Sequence, residues 1–207
     1  MKYSFLLFTA LLFIGSTYAQ TTVTIANQTW MLKNLDVSTY RNGDLIPQVT
    51  NDAEWAALTT GAYCYYNNDS AKYAAIYGKL YNWYAVNDSR GLAPTGWHVP
   101  SDEEWTLLST GLGGNVEAGG KIKETGTTHW TTPNTGATNS SGFTGLPGGL
   151  RDYDGSFLSV GKDGKWWSST EADTTSTWAR FQLYYLPYFS RSSFGRLNGF
   201  SVRCLRD

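Results

Sequence analysis

Alternating polar and apolar positions predict a β-hairpin at residues 22–35. The segment Thr22-Val23-Thr24-Ile25 has the period of two that is typical of a strand, Asn27-Gln28 has polar turn chemistry, and residues 29–35 resume the extended pattern. The same reasoning predicts further strands at 62–66, 81–86, 165–171, 177–183 and 200–204. Extended segments are therefore expected near both ends of the fold.

Helix-capping residues mark two places where this extended pattern is interrupted. Ser101 is a good N-cap, Glu104 closes a capping box, and the neighbouring carboxylates favour the positive start of a helix. A shorter helix is predicted after Asn51, because Glu54 follows three residues later. The Ala-rich stretch 71–80 is compatible with a helix. Helix physics explains the acidic residues near Glu104, so catalytic carboxylates are not needed there.

Gly, Thr, Ser and Asn dominate residues 111–165, which are expected to form long loops. A loop-rich region of this length is usually functional or held by many hydrogen bonds. The chain has no internal repeat, and no Pro-rich or Ser-rich linker divides it after residue 20. We therefore expect a single domain at 20–207.

The first 19 residues have the features of an export signal. Lys2 provides a positive start, residues 5–14 are almost entirely apolar, and Ala19 supplies the small residue before a cleavage site. We therefore expect residues 1–19 to be a signal peptide, and the protein to be secreted, cell-surface or periplasmic. No second long apolar run follows, so the mature chain is not expected to insert into a membrane.

Composition narrows the class of protein further. Hydrophobic residues make up 41% of the chain and aromatic residues 15%, which is incompatible with a disordered chain. The formal net charge is −1, so no basic footprint points to nucleic acid as a partner. Of the 9 tryptophans, at least three are expected to be buried among Trp97, Trp105, Trp166 and Trp167.

The chain has 2 cysteines, Cys64 and Cys204. An even pair in an exported protein is a disulfide candidate, and two separate buried thiols are the alternative. Zinc is not expected, because His98 and His129 do not lie at ligand spacing from the cysteines.

Several short motifs occur in a characteristic order along the chain. The motifs are Thr22-Val23-Thr24-Ile25-Ala26-Asn27-Gln28-Thr29-Trp30-Met31, Leu80-Tyr81-Asn82-Trp83-Tyr84-Ala85-Val86, Gly96-Trp97-His98-Val99-Pro100-Ser101-Asp102-Glu103-Glu104-Trp105, Leu146-Pro147-Gly148-Gly149, Trp166-Trp167-Ser168-Ser169-Thr170-Glu171 and Gly199-Phe200-Ser201-Val202-Arg203-Cys204. Together they resemble one protein family, the Fibrobacter succinogenes major paralogous domain, which is common in exported proteins of Bacteroidetes-type bacteria. The resemblance covers nearly all of residues 22–207.

The resemblance implies an α+β architecture related to the C-type lectin-like and formylglycine-generating-enzyme-like folds. Such a fold has small irregular antiparallel sheets, two short helices, long loops, and chain ends paired in one sheet. Formylglycine-generating enzymes work with a pair of cysteines near the C-terminus, whereas Cys204 is alone there. The chain is therefore expected not to be an enzyme.

Asp152-Tyr153-Asp154-Gly155 is the best candidate for a cation site. Asp152 and Asp154 stand two apart before a glycine, which suits calcium, and Asn139, Asp163 and Glu171 are possible further ligands. The same pattern is also ordinary turn chemistry. Calcium is thus a possible cofactor, and no other cofactor is indicated.

An aromatic stretch near the C-terminus is the best candidate for a ligand surface. Tyr184, Tyr185, Tyr188, Phe189 and Arg191 are residue types that binding surfaces favour. In the C-type lectin-like proteins that the chain resembles, this region is the ligand-binding face. The alternative is that the rings pack over the sheet as part of the core.

The expected function is that of an exported, non-catalytic binding domain that recognises a glycan or a protein ligand at the cell surface. A structural surface or fimbrial subunit is the alternative, and an enzyme of the formylglycine-generating type is the third hypothesis.

Overall fold

A computed structural model describes residues 22–207. The predicted signal peptide at 1–19 lies outside the described residues. The description begins with the predicted hairpin, in which strand β1 (Thr22–Ile25) pairs antiparallel with β2 (Gln28–Met31). Ala26 and Asn27 form the two-residue turn with φ of 51° and 64°. Two positive φ angles are what a tight hairpin turn requires, and asparagine tolerates them better than most residues.

The remaining strands are mostly short. They are β3 (Tyr63–Cys64), β4 (Leu80–Tyr81), β5 (Trp97–His98), β6 (Leu150–Arg151), β7 (Phe157–Leu158), β8 (Asp163–Glu171), β9 (Ser176–Leu183), β10 (Ser190–Gly195) and β11 (Leu205–Arg206). The helices of the described residues are α1 (Asp52–Ala56), α2 (Ser70–Tyr77), α3 (Trp83–Val86), α4 (Asp102–Gly111) and α5 (Asn115–Ile122), with a 3-10 turn at Tyr66–Asn68.

The strands form small antiparallel sheets. One sheet has the order β1-β2-β11-β5, a second has the order β10-β9-β8, and the pairs β3-β4 and β6-β7 complete the set. In the first sheet, Leu205 of β11 pairs with Trp30 of β2 and with His98 of β5. The last strand is thus held beside the first hairpin, and the expectation of paired chain ends in a mixed α/β fold is confirmed.

Local capping signals predicted two helices correctly. At α4 the Ser101 side chain accepts a hydrogen bond from the Glu104 backbone N–H, and the Glu104 carboxylate accepts one from the Ser101 N–H. The Asn51 side chain caps α1 by accepting from the Glu54 N–H. The Ala-rich stretch also contains a helix, α2, which Asp69 caps.

Three element predictions are wrong. Residues 83–86 form a helix and not a strand, because the Asn82 side chain caps it by accepting from the Ala85 N–H. Residues 200–204 were predicted as a strand but form only isolated bridges at Phe200 and Ser201, and strand β11 follows at Leu205–Arg206. Strand β10 was not predicted. The loop-rich region contains α5. The described residues therefore hold more than the two expected helices. In α5, glycine permits close packing, because a side chain at Gly119 would collide with the backbone of Pro187 and Tyr188.

Tryptophans form much of the core, as expected. Trp97 is 8% exposed, and Trp105, Trp166 and Trp167 are fully buried. Trp105 packs with its ring centroid 4.5 Å from that of Trp30 on β2, so α4 is fixed against the first sheet. Aromatic pairs in such contacts add to the free energy of burial.

The structure corrects the disulfide prediction. Cys64 and Cys204 are separate free thiols, both with 0% exposure. Cys64 packs in a cluster with Trp55 and Leu80, whereas Cys204 lies in a different cluster around Met31. Burial raises the pKa of each thiol to about 12, so both are held as neutral apolar groups in the core.

Among residues 22–207, no helix is long and apolar enough to cross a membrane. This agrees with the absence of a second long apolar run in the sequence.

Candidate functional site

The connection between β9 and β10 presents three tyrosines at the surface. Tyr185 is 52% exposed and Tyr188 is 42% exposed, while Tyr184 is half-buried beside them. The ring centroids of Tyr184 and Tyr185 lie 5.1 Å apart, with the ring planes at 77°. We call Tyr184, Tyr185 and Tyr188 the tyrosine platform. Exposed aromatic side chains that lie together, unlike singly scattered ones, can mark a binding surface.

Backbone hydrogen bonds hold the tyrosine platform to three other parts of the fold. The Tyr184 N–H donates to the Lys162 carbonyl at 2.8 Å, and the Tyr184 carbonyl accepts from the Thr135 N–H at 2.8 Å. The Phe189 N–H donates to the Asn115 carbonyl at the start of α5, also at 2.8 Å. These bonds anchor the turn at both ends, so its exposed rings project from an ordered backbone.

A buried lysine anchors the same turn from below. The Lys123 Nζ donates to the carbonyls of Leu183 and Leu186, each at 2.6 Å, and to that of Thr135 at 3.3 Å. The residue is 0% exposed. Burial lowers the pKa of Lys123 to about 8. Sequence reasoning did not identify Lys123, because the segment Lys121-Ile122-Lys123 gives no periodic or motif signal that distinguishes a buried lysine from an exposed one.

Phe189 does not belong to the candidate surface, and its prediction as a ligand-binding residue is wrong. Its side chain is 0% exposed and packs edge-on against Trp105, with ring centroids 5.7 Å apart. The alternative considered for this stretch, packing into the core, is therefore correct for Phe189. It is not correct for Tyr185 or Tyr188.

Arg191 is partly exposed, but its charge is already paired. Its Nε donates to both carboxylate oxygens of Asp102 at 2.9 Å, and its guanidinium lies 3.3 Å from the centre of the Trp178 ring. Buried Arg180 donates to the same Asp102 carboxylate at 2.9 Å. Arg191 is therefore a stacked guanidinium that shares one carboxylate with Arg180, so the three groups together keep one positive charge.

The aspartates of the proposed calcium site form a turn between β6 and β7. Asp154 Oδ1 accepts from the N–H and the hydroxyl of Ser156, and these bonds lower the Asp154 pKa. Asp152 Oδ1 accepts from the Tyr153 N–H. Within residues 22–207, no group of three or more His, Cys, Asp or Glu side chains is placed to hold a metal ion.

The other candidate calcium ligands have partners of their own. The Asn139 side chain bonds to Thr144, Asp163 faces Lys165 at 3.7 Å, and Glu171 pairs with Arg196 at 2.9 Å. The structure does not gather them around the turn, so the simpler interpretation of Asp152 and Asp154, turn chemistry, fits better.

His98 is the centre of a further titratable cluster. Its Nδ1 lies 2.8 Å from Asp207 Oδ1, and its Nε2 lies 2.9 Å from Glu104 Oε1. Burial lowers the pKa of His98, but the bonds with the two carboxylates outweigh burial and raise it above 6.5. Because Glu104 also caps α4, His98 links Asp207 to the start of that helix.

These features place the chain among small mixed α/β domains with irregular antiparallel sheets. Residues 23–206 match the sequence model of the Fibrobacter succinogenes major domain. The chain belongs to this family. No curated protein matches the chain significantly.

Proposed function

We propose that this chain is an exported, non-catalytic binding domain of C-type lectin-like fold, which recognises a glycan or protein ligand through the tyrosine platform. The observation that carries the proposal is the exposure of Tyr185 and Tyr188 on a turn that Lys123 and three backbone bonds hold in place. Rigid aromatic side chains on an ordered backbone lose little conformational entropy on binding.

Several features support the fold and the non-catalytic character. Pairing of β11 with β2 brings the chain ends together, and long loops join small sheets, as the C-type lectin-like architecture implies. Both thiols are buried with a pKa of about 12, which suits core packing and not nucleophilic chemistry. The signal-like segment at 1–19 supports export to the cell surface.

Substitution of two exposed rings tests the proposal. The purified protein and the Tyr185→Ala/Tyr188→Ala variant are applied to a glycan array that also carries immobilised cell-surface proteins. We expect binding by the native protein and loss of at least about tenfold in affinity in the variant, with little change in thermal stability. Tyr153→Ala is the matched control, because Tyr153 is 62% exposed on the β6–β7 turn.

Retention of binding by the double variant would overturn the assignment of the site. A large loss of thermal stability in the same variant would show instead that the two tyrosines support the core.

A structural surface subunit is the second candidate, and strand β10 favours it. This strand is at the edge of the β10-β9-β8 sheet, so one side of its backbone is not paired with another strand of residues 22–207. Edge strands can add a strand from a second copy, although a charged residue such as Arg191 opposes this pairing. Light scattering at increasing protein concentration tests it, and a constant monomer mass would exclude self-association.

A further inference from the structure

Charged side chains are absent from the two chain segments that meet at the tyrosine platform. Residues 130–150 contain no Asp, Glu, Lys, Arg or His, and neither do residues 181–190. The chain contains 33 Asp, Glu, Lys and Arg residues in total. Two uncharged stretches of this length would therefore form an unusual surface if they lay side by side.

The structure brings the two stretches together. The Thr135 N–H donates to the Tyr184 carbonyl, and the buried Lys123 amine bonds to carbonyls of both stretches. A Cβ on Gly136 would lie only 2.8 Å from the Pro187 side chain. The stretch that meets the platform at Thr135 and Gly136 contributes exposed hydroxyl and small residues. They include Thr131, Thr132, Gly136, Thr138 and Ser140.

Several charged residues adjoin this neutral surface, and none of them lies within the two stretches. Lys123 has no exposure, and Arg191 shares the Asp102 carboxylate with buried Arg180, so one positive charge remains at the edge near β10. Lys121 donates to the Leu112 carbonyl at 2.9 Å. Lys162 is exposed at the edge, but its backbone carbonyl makes the contact with Tyr184.

From this arrangement we propose that the tyrosine platform binds an uncharged saccharide, an inference that rests on the proposed function above. Tyrosine rings offer flat apolar faces for the C–H faces of a sugar, and threonine and serine hydroxyls donate and accept hydrogen bonds to its hydroxyls. An anionic glycan, or a charged protein surface, would lose hydration over the platform itself, where neither of the two stretches offers a charged side chain. The neutral surface therefore favours a neutral oligosaccharide over these other ligands.

Calorimetric titration with two sets of defined oligosaccharides tests this assignment. One set is neutral, made of gluco-, xylo- and manno-oligosaccharides, and the other is anionic, made of oligogalacturonates and sialylated glycans. We expect binding to a member of the neutral set only. Because no ion pair forms, affinity should change by less than about twofold between about 50 and about 500 mM NaCl.

Variants separate the failure of this inference from the failure of the proposed function. Tyr185→Ala/Tyr188→Ala should weaken saccharide binding at least about tenfold, whereas Lys162→Ala and Tyr153→Ala should leave it unchanged. Four results would overturn the neutral-saccharide inference. They are the absence of binding to the neutral set, salt-sensitive binding to the anionic set, loss of binding in Lys162→Ala, and tyrosine-dependent binding to an arrayed protein but to no saccharide. Neutral binding that survives the tyrosine substitutions would overturn both proposals.

Discussion

Phe189 and Tyr188 are neighbours in the chain, but alanine in place of each should affect stability very differently. The Phe189 ring is fully buried against Trp105, so Phe189→Ala removes buried apolar surface and leaves a cavity. Buried Phe→Ala substitutions cost about 3–5 kcal/mol. Tyr188 is 42% exposed, and its replacement should cost less than about 1 kcal/mol.

Urea unfolding and thermal unfolding, both followed by tryptophan fluorescence, measure the difference in unfolding free energy and in Tm between the two variants. For a domain of this size each kcal/mol corresponds to about 2–4 °C in Tm, so Phe189→Ala should lower Tm by about 6–20 °C. The urea dependence of the unfolding free energy should stay constant, because the surface exposed on unfolding changes little. Phe189→Leu is the control for volume and should cost less than about 1.5 kcal/mol.

Two results would refute this reasoning. One is a cost below about 1 kcal/mol for Phe189→Ala, because removal of a fully packed ring should destabilise the protein by more than that. The other is an equal cost for the two alanine variants, because burial would then not distinguish the residues.

Three further predictions concern the thiols, the buried amine and the helix cap. Cys64 and Cys204 are buried and have a pKa of about 12, so neither should react with a thiol reagent at pH 8 in the folded protein. Both should react once the protein is unfolded in the absence of reductant, and fewer than two reactive thiols in the unfolded chain would indicate a disulfide. The pKa of Lys123 is about 8 in the folded protein and 10.5 when unperturbed, so between these pH values the unfolded chain binds the proton more tightly. The unfolding free energy of the native protein, measured relative to Lys123→Met by urea titration, should therefore rise by up to about 3 kcal/mol from about pH 7.5 to about 10.5. A constant difference would contradict the lowered pKa. Ser101→Ala should cost about 1 kcal/mol of unfolding free energy through loss of the capping box, and Ser101→Asp should restore most of it; equal stability of all three proteins would refute the cap's contribution.

Sequence reasoning succeeded where the determining contacts lie within a few residues. The capping box of Ser101 and Glu104 and the turn at Asn27 involve neighbours in the chain, so their residue types alone indicate the structure. It failed at residues 83–86, whose aromatic and apolar side chains fit a strand equally well. There the Asn82 cap, which also bonds to the Ala62 N–H and the Thr60 carbonyl, favours the helix.

The aromatic stretch shows the same limit at the candidate site. Tyr188 and Phe189 have similar sequence signals, and a turn between strands lacks the regular period that would assign each ring to a face. Burial of Phe189 depends on Trp105, which lies far away in the chain. The Tyr185 exposure depends likewise on the anchoring of the turn by Lys123.

Caps, the hairpin, the burial of tryptophans and the family resemblance were thus accessible from the order of residues, because each depends on local chemistry or on hydrophobicity. The separation of Cys64 from Cys204, the carbonyl bonds of Lys123 and the meeting of the two neutral stretches depended on packing between segments remote in the chain. Such contacts are determined by the collective fit of the core, which no single segment encodes.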